Sequence, residues 1–253
     1  MHKLKEMEEG SFYIDQPREF KANGYLDIDD IYGSFDFAYD MTFGNQGEHR
    51  SHRSGGQTHR KNGEIFIDAF QGKLSEFAFY NVFRHSKVHA DPPDTRVMGL
   101  NQWDSVDLVA NGVKIAIKST KKFGNLLLLE TKDWDDDGRY VPNVERGDSE
   151  YDFFVLIRID PDGTSIMKEN RLFYSEYADY MFLRDLLTTL DWKANLTGYI
   201  SREQLVDEVI RERHILPKNS LLNGNTRMDA ENYYVQAGDL NSISELIAYI
   251  RSL

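Results

Sequence analysis

The amino-acid sequence predicts an α/β or α+β fold, in which a central mixed β-sheet is flanked by helices. The middle of the chain, from about 103 to 160, holds several short apolar runs bounded by turn residues, which is typical of strands. The regions around 64–85, 174–190 and 201–253 carry residues typical of helices, among them apolar residues at helical spacing and N-capping residues. Strands grouped between helices indicate layers of helix and sheet around one hydrophobic core.

The segment 64–85 predicts a helix from about Gln71 to Arg84, because its apolar residues recur at helical spacing. These residues are Phe70, Leu74, Phe77, Ala78 and Val82. A short helix is also predicted at 25–32, where the chain reads YLDIDDIY. The turn Asp91-Pro-Pro-Asp94 then separates the longer helix from the strand-rich middle of the chain.

A β-hairpin is predicted around Asn111-Gly112, since this dipeptide is the strongest short hairpin signal. The first strand covers 103–110 and the return strand covers 113–119. Side chains alternate along a strand, so Ile115 and Ile117 share one face of the return strand. Ala116 and Lys118, with Lys114, share the other face.

The later elements follow the same logic. Apolar runs at 125–130 and 151–159 predict two buried strands, and we expect the first of them to be central in the sheet. Ser201 is a candidate N-cap for a helix that reads REQLVDEVIRER, and Asn241 or Ser242 could begin the last helix. We therefore expect one core over 1–195, and a small helical subdomain or extension over 196–253.

Composition limits the class of protein. A chain of 253 residues can bury a full core without disulfides, and it contains no cysteine. The stretch MHKLKEMEEG lacks the apolar centre of a secretory signal, and no apolar run approaches the roughly 18 residues of a membrane span. We therefore expect a soluble, cytoplasmic protein. Its net charge of -12 argues against a nucleic-acid binder unless cations are gathered in one place.

Such a concentration exists between His49 and Lys61, which read HRSHRSGGQTHRK without a single acid. Glycines and serines indicate a loop. One interpretation is a DNA-contacting arm, whose cations are Arg50, Arg53, Arg60 and Lys61. A zinc site at His49, His52 and His59 and a simple solvated loop are the alternatives.

The hairpin has the layout that metal-dependent hydrolysis of DNA requires. A divalent metal must lie beside the scissile phosphate and activate a water, and hard cations such as magnesium prefer carboxylate oxygens. A nearby lysine can stabilise the developing charge. An acid on one strand of a hairpin and a lysine on the other can meet on one face, and Asp107 and Lys118 occupy such positions.

The stretch from Asp107 to Thr120 resembles the motif of the PD-(D/E)xK nucleases, which include most type II restriction endonucleases. In that family an aspartate precedes a hairpin whose return strand ends in an acid, any residue and a lysine, often followed by serine and threonine. Asp107 matches the aspartate, and Lys118 with Ser119-Thr120 matches the ending. Glu76, in the helix before the hairpin, is similar to a glutamate that reaches the same metal in many members. The resemblance covers about 64–160.

The second acid of the motif is missing, because its position is occupied by Ala116. Glu76 or Glu130 could replace it, and an inactive relative is a further alternative. A second E-x-K pattern, Glu130-Thr131-Lys132, also follows an apolar strand, but no tight hairpin joins it to Asp107.

The resemblance implies a restriction-endonuclease-like fold and a Mg²⁺-dependent endonuclease that cleaves double-stranded DNA, commonly as a homodimer. Asp107, Glu76 and Glu130 are the candidate metal ligands, and Lys118 is the candidate for positioning water or stabilising charge. The alternatives are a DNA-binding relative without catalysis and, because of the acidic balance, an interaction protein that does not bind nucleic acid.

Overall fold

The computed structural model describes residues 1–44, 60–96 and 106–253, and it has a mixed α/β architecture of the α+β type. The helices in these ranges are α1 (Ile28–Thr42), α2 (Asn62–His85), α3 (Gly163–Glu169), α4 (Tyr180–Thr188), α5 (Arg202–Gln204) and α6 (Ile243–Ser252). The strands are β1 (Lys5–Glu8), β2 (Ser11–Tyr13), β3 (Leu108–Ala110), β4 (Val113–Lys121), β5 (Leu126–Glu130), β6 (Phe153–Asp160), β7 (Lys193–Ser201), β8 (Ile215–Leu216), β9 (Leu221–Leu222), β10 (Thr226–Arg227) and β11 (Asn232–Gln236).

The main sheet has the strand order β3-β4-β6-β7 and is mixed. Strands β3 and β4 form an antiparallel hairpin, β4 runs parallel to β6, and β6 pairs antiparallel with β7. Strand β6 reads FFVLIRID and is buried over almost its whole length, because both faces of the sheet are covered. The predicted central mixed sheet is therefore present, although β5 does not belong to it.

Helix α2 covers one face of the main sheet, and α1 packs on α2. Helix α1 begins at a capping box in which Asp27 and Asp30 exchange hydrogen bonds with each other's backbone N–H groups. Helix α2 is largely buried, and its aromatic and aliphatic side chains pack on the odd-numbered residues of β4, Ile115 and Ile117. The predicted helix at Gln71–Arg84 is confirmed, and it begins nine residues earlier, at Asn62.

The opposite face of the main sheet packs against a second, antiparallel sheet with the order β5-β11-β8. Leu127 and Leu129 of β5 meet Phe154 and Leu156 of β6 in a second apolar cluster. A π-helical turn, Leu205–Ile210, continues from α5 and closes this layer. Strand β5, which we expected to be central, lies instead at the edge of the second sheet, since its hydrogen-bonded neighbour is β11.

Residues 196–253 differ from the helical subdomain that the sequence predicts. Strand β7 is hydrogen-bonded to β6 in the main sheet, and β11 is hydrogen-bonded to β5. The two predicted helices do occur here, with Ser201 and Ser242 as their N-cap residues, but they are short and pack on these sheets. The predicted helix at 174–190 is likewise confined to α4.

A buried arginine attaches the N-terminal segment to the main sheet. Arg158 of β6 is 1% exposed, and its guanidinium donates hydrogen bonds to the backbone oxygens of Arg18 and Glu19 and to Oδ1 of Asn195. Beyond this segment, β1, β2, β9 and β10 form a third, small sheet. Among the residues that the structure describes, no helix is both long and apolar enough to cross a membrane.

Candidate active site

The β3–β4 hairpin is held in the geometry that its turn residues allow. Asn111 and Gly112 have φ values of 46° and 81°, a left-handed pair typical of a type I′ turn. Nδ2 of Asn111 also donates a 2.9 Å hydrogen bond to the backbone oxygen of Ile250, which fixes the turn against α6. The predicted hairpin is therefore present, and its register pairs Leu108 with Ile115.

Asp107 lies immediately before β3, and its side chain is hydrogen-bonded to the backbone of β4. Oδ2 of Asp107 accepts a 2.7 Å hydrogen bond from the backbone N–H of Ile117. Ile117 lies two residues beyond Ile115, which pairs with Leu108. The register also places Asp107 opposite Ala116, on the face that carries Lys118. Burial, followed by the negative charge of Asp107, raises the pKa of the Tyr151 phenol.

The position of the missing acid is part of the hydrophobic core. Ala116 is 1% exposed, and it belongs to the apolar cluster that includes Trp134 and Phe154. Lys118, two residues further along the same face, reaches past this cluster, and its Nζ lies 5.8 Å from the centre of the Trp134 ring. The ammonium group is therefore held at the edge of the core by a cation–π contact.

Lys118 lines a groove of about 990 Å³ between the end of β4, strand β5 and the β9–β10 hairpin. Its cations are Lys118, Lys121 and Arg227, and its carboxylates are Glu130, Asp133 and Asp229. The structure thus brings Lys118 and Glu130 to the same groove from two different sheets. Asp107 shares the face of Lys118 but is not part of the groove wall.

Glu130 is the last residue of β5, where the side chains of Leu126 and Leu128 face the same groove. Its Oε2 lies 3.9 Å from Nζ of Lys132. The chain turns into a short 3-10 helix at Thr131–Asp133, so Lys132 does not continue the strand. The alternative E-x-K pattern at 130–132 is therefore not a strand motif, whereas Lys118 is a strand residue.

Glu76 lies on the other side of the main sheet from Lys118. It projects from α2, and its Oε2 is 2.6 Å from Nζ of Lys73, which is 3% exposed. Lys73 also donates to the backbone oxygen of Asp94 and lies over the ring of Phe37 on α1. The main sheet separates Glu76 and Lys73 from the groove. Helical spacing in the sequence could not indicate this, because it predicts that one face of the helix is buried but not which face of the sheet it covers.

Two of the four candidate DNA-binding residues are described, and both form ion pairs within the protein. Nη1 of Arg60 lies 3.2 Å from Asp68, and Nζ of Lys61 lies 2.6 Å from Glu176. These contacts attach the end of the basic segment to α2 and to the turn before α4. Arg50 and Arg53, like the histidines His49, His52 and His59, lie outside the described residues.

The carboxylates of the groove suit a hard cation. Magnesium is usually held by one or two protein carboxylates, and water and substrate phosphates complete its coordination. Within 1–44, 60–96 and 106–253, no three acidic or histidine side chains lie close enough together to hold an ion by themselves.

The β9–β10 wall of the groove was missed by the sequence analysis. Asn223-Gly224 is the same dipeptide that marks the β3–β4 hairpin, and both residues have positive φ values. The flanking strands have only two residues each, so their apolar pattern is too short to indicate strands. The dipeptide Asn223-Gly224 was the feature of the sequence from which this hairpin could have been predicted.

No family model, curated protein or solved structure matches the chain. We therefore argue the function of this protein from the residues of the hairpin face and the groove.

Proposed function

We propose that the chain is a metal-dependent nuclease of the PD-(D/E)xK type that hydrolyses phosphodiester bonds of double-stranded DNA. One observation carries the proposal: Lys118 and Glu130 line a single groove, and Asp107 is on the same sheet face as Lys118. The mixed sheet, with a hairpin at one edge and α2 across one face, is consistent with a restriction-endonuclease-like core.

Each residue has a role that its position permits. Glu130, in the groove, and Asp107, on the same sheet face as Lys118 but outside the groove wall, are the carboxylates that we propose to hold Mg²⁺. The metal would supply an activated water when it is bound. Lys118 stabilises negative charge that develops on the scissile phosphate, because its ammonium is already positioned over Trp134 and needs little reorganisation. Lys121 also lines the groove, with its Nζ 3.4 Å from Asp162, and it would have to leave this ion pair to contact the DNA backbone.

The resemblance to type II restriction endonucleases adds two further elements to the proposal. The DNA would be cut at a specific sequence, and two copies of the chain would act together, since a two-fold protein matches a palindromic site. Arg50 and Arg53 of the basic segment are proposed to contact the DNA.

The test is cleavage of plasmid DNA by the purified chain in Mg²⁺ or Mn²⁺. We expect discrete products, and we expect Lys118→Ala to lower the rate by roughly 100-fold or more, as when a preorganised charge is removed from other active sites. Lys168→Ala is the matched control, since Nζ of Lys168 also lies over an aromatic ring, 4.8 Å from the centre of Phe173, but outside the groove. Absence of cleavage with every metal, or equal rates for both variants, would contradict the proposal.

DNA binding without cleavage is the second candidate, and the burial of Ala116 favours it. An acid of the family motif is replaced by an apolar residue that is integrated into the core. This candidate predicts metal-independent binding to duplex DNA and no cleavage under any metal. A mobility-shift assay at low salt, run beside the cleavage assay, separates the two functions.

A further inference from the structure

The β9–β10 hairpin forms the groove wall opposite β4 and is firmly attached to the rest of the protein. The backbone N–H of Asn223 donates a 2.8 Å hydrogen bond to the oxygen of Phe12, and Oδ1 of Asn223 accepts from the N–H of Ile14. The N–H of Leu221 donates to the oxygen of Gly10. These hydrogen bonds attach the hairpin to the N-terminal segment, although its strands are short.

The side chains of the turn and of β10 are polar and exposed, whereas Leu221 and Leu222 of β9 are half-buried. Asn225, Thr226 and Arg227 are all exposed, and Asn225 and Arg227 line the groove. Oδ1 of Asn225 accepts a hydrogen bond from the hydroxyl of Thr226, and Nη1 of Arg227 donates to the backbone oxygen of Asn219. These contacts use Oδ1 of Asn225 and Nη1 of Arg227, so the other polar atoms of both side chains stay available for a ligand.

Some arginines of this acidic protein are neutralised by a carboxylate, whereas others, Arg227 and Arg251 among them, form no ion pair in the described part of the chain. Arg60, Arg96, Arg139, Arg202 and Arg211 each form an ion pair with a carboxylate. Arg227 forms no ion pair with a carboxylate in the part of the chain that the structure describes, although Asp229 lines the same groove. A guanidinium that is exposed and held only by a backbone oxygen retains donors for a ligand.

We infer that the β9–β10 hairpin reads DNA sequence, with Arg227 and Asn225 contacting base edges while Lys118 faces the backbone. This inference rests on the proposed function, because it requires DNA in the groove. Strand β10 is the edge of the third sheet, since β9 is hydrogen-bonded to β2 on its other side. In the major groove of DNA, arginine pairs with the two acceptors of guanine and asparagine pairs with adenine. The edge strand and its turn present both side-chain types, across the protein groove from the lysines of β4.

The test measures binding of the full chain without magnesium, so that it does not depend on cleavage. A preferred duplex is selected from a random pool by the unsubstituted protein, and affinity for it is compared with affinity for a scrambled duplex. Arg227→Ala and Asn225→Ala are expected to reduce this preference roughly ten- to a hundred-fold each, while affinity for the scrambled duplex changes much less. Arg227→Lys, which keeps the charge, is expected to lose preference as well.

Arg251→Ala is the matched control, because Arg251 is exposed and also donates to one backbone oxygen, that of Ser86, but lies outside this groove. Equal loss of affinity for both duplexes would place Arg227 on phosphates and overturn the inference. An unchanged preference, or no preferred duplex for the unsubstituted protein, would also overturn it.

The inference and the nuclease proposal can fail separately. Cleavage that needs Lys118 but is indifferent to the hairpin variants refutes the inference alone. Selective binding that needs Arg227, without cleavage in any metal, refutes the nuclease alone. Absence of DNA binding refutes both.

Discussion

Asp107 has a structural and a proposed catalytic role, and two substitutions separate them. Its Oδ2 accepts a hydrogen bond from the N–H of Ile117, which is buried in β4. Asp107→Ala leaves this N–H without an acceptor, which should lower the free energy of unfolding by about 1–3 kcal/mol. Asp107→Asn retains an acceptor oxygen and loses only the charge, so its cost should be about 1 kcal/mol, the usual difference between charged and neutral hydrogen bonds.

Urea unfolding, followed by the fluorescence of the buried Trp134 and Trp192, measures the stability difference. Plasmid cleavage in Mg²⁺ measures the catalytic role. We expect Asp107→Asn to remain folded and to lose most of its cleavage rate, because an amide is a poor ligand for a hard cation compared with a carboxylate. An Asp107→Ala protein as stable as the unsubstituted chain would refute the hydrogen-bond argument. Full cleavage by Asp107→Asn would refute the role in metal binding.

Three further predictions concern the core and one surface ion pair. Arg158→Met should lower the free energy of unfolding by about 3 kcal/mol or more in urea, because the backbone oxygens of Arg18 and Glu19 lose their donors. Ala116→Glu should also destabilise the protein by about 3 kcal/mol or more, since it buries a carboxyl group among apolar side chains, and it should not increase cleavage. The side-chain hydrogen bond from Arg96 lowers the pKa of Asp94 from 3.8 to about 2, so the stabilisation from this pair is complete above pH 3.8 and is lost as the pH falls through about 2. An NMR titration of Asp94 should therefore give a midpoint near 2, and Arg96→Ala should move it towards 3.8.

The elements that the sequence predicted are those that local signals determine. The Asn-Gly dipeptide fixes the β3–β4 turn, because few residue pairs accept two consecutive positive φ values. Strand alternation then places Ala116 and Lys118 on one face. The helix over 71–84 follows from the spacing of its apolar residues.

Pairing over long distances could not be predicted in the same way. The apolar run of β5 indicates a buried strand, but its neighbour β11 lies about a hundred residues later in the chain, and nothing in the run itself identifies that partner. The same limit applies to Glu76, whose helix could have covered either face of the sheet. Both cases concern which layers meet, and that depends on the whole core and not on one segment.

The presence of alanine instead of an acid at position 116 and the position of Lys118 are connected through the second apolar cluster. Trp134 packs edge-to-face on Phe154, with 5.0 Å between the ring centres, and it belongs to the same cluster as Ala116. The same Trp134 ring supports the ammonium of Lys118. A carboxylate at position 116 would have to be solvated or paired where this cluster now excludes water. The small apolar residue therefore lets the second sheet pack closely on β4 and β6. That packing brings Glu130 of β5 to the groove of Lys118, where we propose that it replaces the carboxylate missing from the hairpin.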